Sequence, residues 1–263
     1  MATKPAVKAL DPQERLFYRN RLREARYAAL ADAEGFDAIC FALEALGLRL
    51  HGEQAAMGGY EENIAPLATR SLVLTAVSSA FPSRFKSFAA LYSIVRRARN
   101  DSMHTGAYAR HATQAAIELS IGLEEALMAG VAQTVENLMV SSPVTVEPWQ
   151  PVAHARQLML MHSFSFLPVR LGGAWCLISE LGLAKYLSNG PRKTSLMCHT
   201  IEEARGKGME VVLLKDTDLL KVGMKVAEVL KTSKVQAGPM LWLVVDSQRN
   251  DHLAGVLSPF ELM

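Results

Sequence analysis

The feature that most constrains the fold of this chain is a change of hydrophobic period after Gly130. From residue 12 to about 129 the apolar side chains recur at helical spacing, with few β-branched runs and no alternation of the kind a strand shows. Beyond residue 130, short apolar runs alternate with turn residues and helical stretches. That order then returns about 75 residues later. The two patterns predict a multidomain chain, with an all-α helical bundle over 1–129 and an α/β region over 130–263 that divides at about 190.

Within the first region, Leu16, Arg19, Leu22 and Arg23 open an arginine-rich helix. Ala38, Ile39, Phe41, Ala42, Leu43, Ala45, Leu46, Leu48 and Leu50 make a strongly apolar one, suited to a bundle core. The paired Gly58 and Gly59 predict a loop over 51–63, after which a helix resumes over 64–80 and breaks at Phe81-Pro82-Ser83. A helix from about Ser83 would carry Phe85, Phe88, Leu91, Tyr92 and Val95 on one face and end in Arg96, Arg97 and Arg99. Asn100, Asp101, Ser102, Thr105 and Gly106 are capping residues, and predict a bend or a helix start before a long last helix over 107–129.

Composition narrows the partners. With 28 Lys+Arg against 26 Asp+Glu, a basic surface must come from clustering. The cluster is at Arg84, Lys86, Arg96, Arg97 and Arg110, and it supports an anionic partner. Cys40, Cys176 and Cys198 lie far apart without zinc spacing, and each reads as a small buried residue in a reducing compartment. There is no P-loop, no GxGxxG after a strand, no HExxH and no GxSxG, and no metal-ligating set. The N-terminus lacks an export pattern, and the longest apolar stretch, over 71–81, falls short of the roughly 20 residues that span a bilayer. A cytoplasmic protein with no membrane partner is expected.

The chemistry concentrates in Arg99-Asn100-Asp101-Ser102-Met103-His104. Arginine binds phosphate oxygens with a planar fork that stays charged, and histidine exchanges a proton near neutral pH. Five positions place these side chains about 140° apart on an unbroken helix. They could act together at a helix terminus, or with two copies facing across a dimer axis. Arg-Asn-x-x-x-His before the last long helix of a bundle resembles the signature of HEPN domains, over residues 10 to 129. The resemblance implies a dimeric, metal-independent endoribonuclease of toxin or defence type, leaving a 2′,3′-cyclic phosphate and needing no cofactor for catalysis. Arg99 and His104 would be catalytic and Asn100 the polar residue following the arginine, with Arg96, Arg97 and Arg110 on RNA. Many HEPN toxins carry a tyrosine two positions after the histidine; here that position is Gly106, and Tyr108 follows.

In the second region, 135–139 leads into an extended segment over 143–148, followed by a helix over 152–162, a strand over 164–170, a Gly172-Gly173 turn, a strand over 175–179 and a helix over 181–187. Val226 to Leu230, Trp242 to Asp246 and Gly255 to Ser258 repeat the central parts, with 247–252 in place of the short turn and a last helix that is missing or very short. This layout is similar to a tandem pair of CBS domains, a Bateman module, on Met139-x3-Pro143-Val144-Thr145-Val146 and Leu167-Pro168-Val169. Such modules bind adenosine nucleotides through a glycine, two apolar residues, Ser or Thr, and an acid three positions on. The resemblance implies ATP, AMP or S-adenosylmethionine as effector, at Ser258 and Glu261 and, in the first repeat, Ser179. There Cys176 and Gly182 stand at the glycine and acid positions, so ordinary ribose recognition is lost. Two alternatives stay open: a purely structural dimerisation platform for the pair, and a non-catalytic, nucleotide-responsive scaffold that binds RNA or a protein for the whole chain.

Overall fold

The structure is a computed structural model that describes residues 9–32, 35–101, 106–131, 133–188, 193–232 and 240–262, with backbone alone for 101, 106–110 and 232. The chain divides into two compact units, 1–131 and 132–263.

The first unit is helical throughout its described residues. Asp11 accepts the Glu14 N–H at 2.8 Å while Glu14 accepts the Asp11 N–H at 3.0 Å, and with Pro12 this capping box starts α1 (Pro12–Ala31). Helix α2 (Phe36–His51) stops at Gly52, whose φ of 90° suits glycine alone. Then come α3 (Met57–Ala68), a π-helical turn (Val73–Val77) running into the short α4 (Ser78–Ala80), α5 (Phe88–Asp101) and α6 (Gly106–Met128). Helices α1 and α5 pack on α6, and α2 packs on α1 and α3. Leu22, Ile39, Leu43, Leu46, Ile64, Leu91, Tyr92, Leu119 and Leu123 fill the core.

The helices depart from the apolar spacing in three places. Gly58 and Gly59 lie in the first turn of α3, not in a loop. Tertiary contacts override their poor propensity: Met57 is buried and accepts the Tyr92 hydroxyl, and the Tyr60 ring lies on Gly47 of α2. The expected helix over 64–80 breaks after Ala68, where Pro66 has removed an N–H. A carboxylate of α6 secures the restart, with Glu125 accepting the Ser71 hydroxyl at 2.5 Å and the Leu72 and Val73 N–H groups at 3.2 and 3.3 Å. Helix α5 begins at Phe88 rather than Ser83, because Ser87 supplies the capping oxygen, and this leaves Phe85 exposed.

Charges inside the unit are mostly paired. Arg26 grips Glu124 with two bonds of 2.7 and 3.0 Å, both side chains being nearly buried. Arg49 does the same to Glu14 at 2.6 and 2.8 Å. Arg19 is the exception. It is buried, its Nε and Nη2 have no partner among the described residues, and burial pulls its pKa down to about 10.

The second unit runs α7 (Val135–Leu138), β1 (Val140–Ser141), α8 (Val152–His162), β2 (Phe166–Leu171), β3 (Ala174–Ser179), α9 (Glu180–Ser188), α10 (Lys193–Cys198) and α11 (Ile201–Gly206). It continues with β4 (Val212–Leu213), β5 (Leu220–Lys221), α12 (Val226–Thr232), β6 (Trp242–Val245), β7 (Leu253–Leu257) and a 3-10 turn (Pro259–Leu262). Strand β2 starts two residues later than expected. Ser163, at φ 54°, ends α8, and the Phe164 N–H completes that cap on the Met159 carbonyl. Gly172 and Gly173, at φ 60° and 85°, make the tight β2–β3 turn. Helices α10 and α11 had no place in the sequence reading, although Thr200-x-x-Glu203 is a capping box and its two bonds form. Cys198 is exposed, against expectation. On α8, Met159 joins the core while Met161 faces solvent.

The repeats exchange backbone partners. One sheet has the order β2-β3-β4 and the other β1-β7-β6-β5, so each hairpin takes an antiparallel outer strand from the segment leading into the other repeat. The leaders exchange too. Val135 and Glu136 N–H bond the Met224 and Val222 carbonyls, as Ile201 and Glu202 N–H bond those of Gln150 and Pro148. Val226 N–H bonds Gln133, as Val152 N–H bonds His199. Three bonds in one half thus recur in the other. Leu177, Leu243 and Val245 of the two hairpins share one apolar cluster with Trp175 and Leu253.

Gly47→Ala would drive its methyl into the Tyr60 ring, so chemical denaturation should show a loss of about 1–3 kcal/mol. The Arg49 guanidinium holds the Glu14 carboxyl below its ordinary 4.5. The stabilisation this gives is present above that pH and is lost as pH falls through the lower folded value. Melting temperatures measured against pH should therefore show a shallower acid limb for Glu14→Gln.

Candidate functional site

Helix α5 is built to present arginines. Leu91, Tyr92, Val95 and Ala98 bury one face, and the Tyr92 hydroxyl donates to the Met57 carbonyl at 2.7 Å, tying α5 to α3. Burial pushes that hydroxyl's pKa upward. The opposite side turns Arg96, Arg97, Arg99 and Asn100 outward to different degrees. Arg99 Nη2 lies 2.6 Å from Glu44 Oε1 on α2, with the side chains 36% and 24% exposed. Arg96 Nη1 stands 4.0 Å from Glu61 Oε2 on α3, and its chain crosses Gly58. Arg97 is exposed and its Nε donates to the Ser93 carbonyl at 3.3 Å. Asn100, Arg84 and Lys86 are exposed. His104 lies outside the described residues, as does the side chain of Arg110, whose backbone belongs to α6.

The structure therefore brings Arg96 and Arg99 together with two carboxylates that the sequence reading did not single out. Glu44 had left a trace, as a lone charge in the apolar run Ala42-Leu43-Glu44-Ala45-Leu46. Cys40 sits one turn earlier on α2, buried, and burial, then Asp37, pushes its thiol up to about 12. At neutral pH it is a packed apolar group and no nucleophile. The arrangement can orient an arginine toward an anion while balancing its charge.

In the second unit the motif residues act first as caps. Glu261 Oε2 accepts both the Ser258 N–H at 2.7 Å and the Ser258 hydroxyl at 2.6 Å, and Phe260 N–H donates to Ser258 Oγ at 3.2 Å. In the first repeat Ser179 Oγ accepts the Gly182 N–H at 3.0 Å. Gly255 faces β1: a Cβ there would stand 2.6 Å from Met139 Sδ and 2.8 Å from the Val140 carbonyl oxygen. At Gly182 a Cβ would stand 2.7 Å from the Glu210 carbonyl oxygen, so passing backbone fills the space an acid would need. Cys176 is buried in the first-repeat core. Elsewhere in this repeat a cavity of about 410 Å³ opens between α8 and α9, floored by Met159, Leu183 and Leu187 and edged by Arg156 and Glu180.

No family model matches the sequence, and no curated protein does either. Solved structures of CBS-domain proteins are similar over about half of it. A putative acetoin utilization protein from Vibrio cholerae is 14% identical with a TM-score of 0.37, covering 50% of this chain and 88% of its own. A CBS domain-containing protein from Bacillus anthracis is 18% identical with a TM-score of 0.38, covering 49% and 89%. The CBS domain pair of protein MJ0100, in complex with 5′-methylthioadenosine and S-adenosyl-L-methionine, is 19% identical with a TM-score of 0.36, covering 50% and 93%. Among the described residues no helix is long and apolar enough to cross a membrane, and no group of three His, Cys, Asp or Glu could hold a metal ion.

Gly255→Ala should detach β1, because the Val140 carbonyl is backbone and cannot step aside. Hydrogen exchange read at residues 140–141 should rise while that of the β2–β3 hairpin stays unchanged.

Proposed function

We propose that residues 132–263 are a tandem pair of CBS repeats that dimerises the protein or regulates it through an adenine nucleotide. We propose also that residues 1–131 are a HEPN-like, metal-independent endoribonuclease of toxin or defence type, acting on RNA in the cytoplasm as a homodimer. The matched exchange of leader bonds between the two hairpins supports the repeat pair, because it makes two copies of one unit into a single body. Nucleotide binding belongs to the second repeat, where Gly255, Ser258 and Glu261 offer an apolar strand, a hydroxyl and a carboxylate. In the first repeat the Glu210 carbonyl stands in the acid's place, which favours one ligand per chain.

The observation that carries the nuclease reading is Arg99. It stands in the last turn of α5 with part of its side chain exposed, Asn100 beside it and His104 five positions on. Arg99 would hold the non-bridging oxygens of an RNA phosphate. His104 would take the proton of the 2′-OH as that oxygen bonds to phosphorus and the bond from phosphorus to the 5′-oxygen breaks. A protonated histidine of the second copy would then give its proton to the leaving 5′-oxygen, leaving a 2′,3′-cyclic phosphate and a 5′-hydroxyl. Arg96, Arg97 and Arg110 would steer the strand.

A second reading, a non-catalytic scaffold binding RNA or a protein, is favoured by Glu44 and Glu61, which already balance two of the arginines.

The test is cleavage of total RNA by the purified protein in EDTA, with and without ATP, AMP or S-adenosylmethionine. Arg99→Ala and His104→Ala should each lose on the order of 100-fold or more in rate. An effect of one ligand that disappears in Glu261→Ala would assign regulation to the second repeat. RNA bound but uncut under every condition would establish the scaffold instead.

A further inference from the structure

We propose that Glu44 is the positioning residue for Arg99: its carboxylate holds the guanidinium from the bundle side, so that the exposed part meets a phosphate already oriented. This rests on the reading of Arg99 as a phosphate-binding residue, whether or not cleavage follows.

Three observations carry it. The contact is short, 2.6 Å from Nη2 to Oε1, within the range of a charge-assisted hydrogen bond. Glu44 is anchored in rigid surroundings, since its helix neighbours Ala42, Leu43 and Leu46 are almost wholly buried. Arg99 keeps 36% of its side chain exposed despite this contact, so the pair does not close it off from solvent. A free arginine would have to give up its rotamer freedom when it met the phosphate, and one already tethered has surrendered part of it beforehand. Arg96 supplies an internal comparison. Its acid, Glu61, stands 4.0 Å away, beyond hydrogen-bond reach, and exerts only a weak attraction.

The rival role for Glu44 is that of a competing anion, and the two roles predict opposite signs. As a bare charge beside a phosphate site, Glu44 repels RNA, and neutralising it must tighten binding. As a positioning residue, its neutralisation must loosen binding although a negative charge has gone.

The experiment measures affinity at fixed salt for a fluorescein-labelled single-stranded RNA carrying 2′-O-methyl groups, which cannot be cleaved by 2′-OH attack. The proteins are the full chain, Glu44→Gln, Glu61→Gln, Arg99→Ala and the double variant Glu44→Gln/Arg99→Ala. Glu44→Gln should bind about tenfold more weakly, and Glu61→Gln should stay within about twofold of the parent. The double variant should be no weaker than Arg99→Ala alone, because the carboxylate acts only through that arginine. Tighter or unchanged binding by Glu44→Gln, while Arg99→Ala binds poorly, would overturn the positioning role and leave the reading of Arg99 standing. An equal loss from Glu44→Gln with and without Arg99 would mark the effect as structural and overturn it too. Full affinity in Arg99→Ala would remove the reading on which the proposal rests.

Discussion

The second unit depends on one constraint, the need of every backbone N–H and C=O in a short extended segment to find a partner. Strands of two residues, such as β1, β4 and β5, cannot form a sheet among themselves. They survive because each lies along a hairpin already made, β1 on β7, β4 on β3 and β5 on β6. Two of these three strands, β1 and β4, lie on the hairpin of the other repeat. The leaders to α8 and α12 are bonded in the same reciprocal way. Each repeat bonds only part of its own leader, Val146 on Pro168 and β5 on β6, and the rest is bonded by the other repeat, so the pair forms one cooperative body. The shared apolar cluster around Leu177, Leu243 and Val245 reinforces that coupling.

The first unit uses a different device, single acids placed on core helices. Glu124 and Glu125 of α6 hold Arg26 and the restart after Ser71, and Glu44 of α2 holds Arg99. Glu124 and Arg26 are nearly buried charges that burial alone would disfavour and that match each other, whereas the Glu44–Arg99 pair stays partly exposed. Two glycines let the helices come near enough for this. Gly47 makes room for the Tyr60 ring and Gly122 for Leu74. A basic surface read from the sequence as a row of arginines thus becomes a set of partly balanced pairs. Arg99 and Arg96 each stand beside a carboxylate of another helix, Glu44 and Glu61.

Much of this was legible residue by residue. The starts of α8 at Val152 and α12 at Val226, and both hairpins of the second unit, agree with the apolar spacing and the turn chemistry of Gly172 and Gly173. The helical character of the first unit follows from its 3.6-residue period. The missed elements share a cause. Helix α3 opens on two glycines, and α10 and α11 are six residues each, so local preference is weak and distant contacts decide. The motif around Gly255 was legible as a pattern, but its glycine is explained by the passage of Met139 and Val140, residues distant in sequence.

The sequence by itself determined the helical first half, the α/β second half, the repeat, and the run of arginines ending in Arg99. These rest on periodicity and turn chemistry, which act over a few neighbouring residues. Only the tertiary structure decided that Glu44 lies against Arg99, that the Glu210 carbonyl fills the space beside Gly182, and that each repeat lends its leader to the other. Those facts join residues from about 30 to more than 100 positions apart. A contact at such a distance is set by how whole elements pack, and no local preference encodes it.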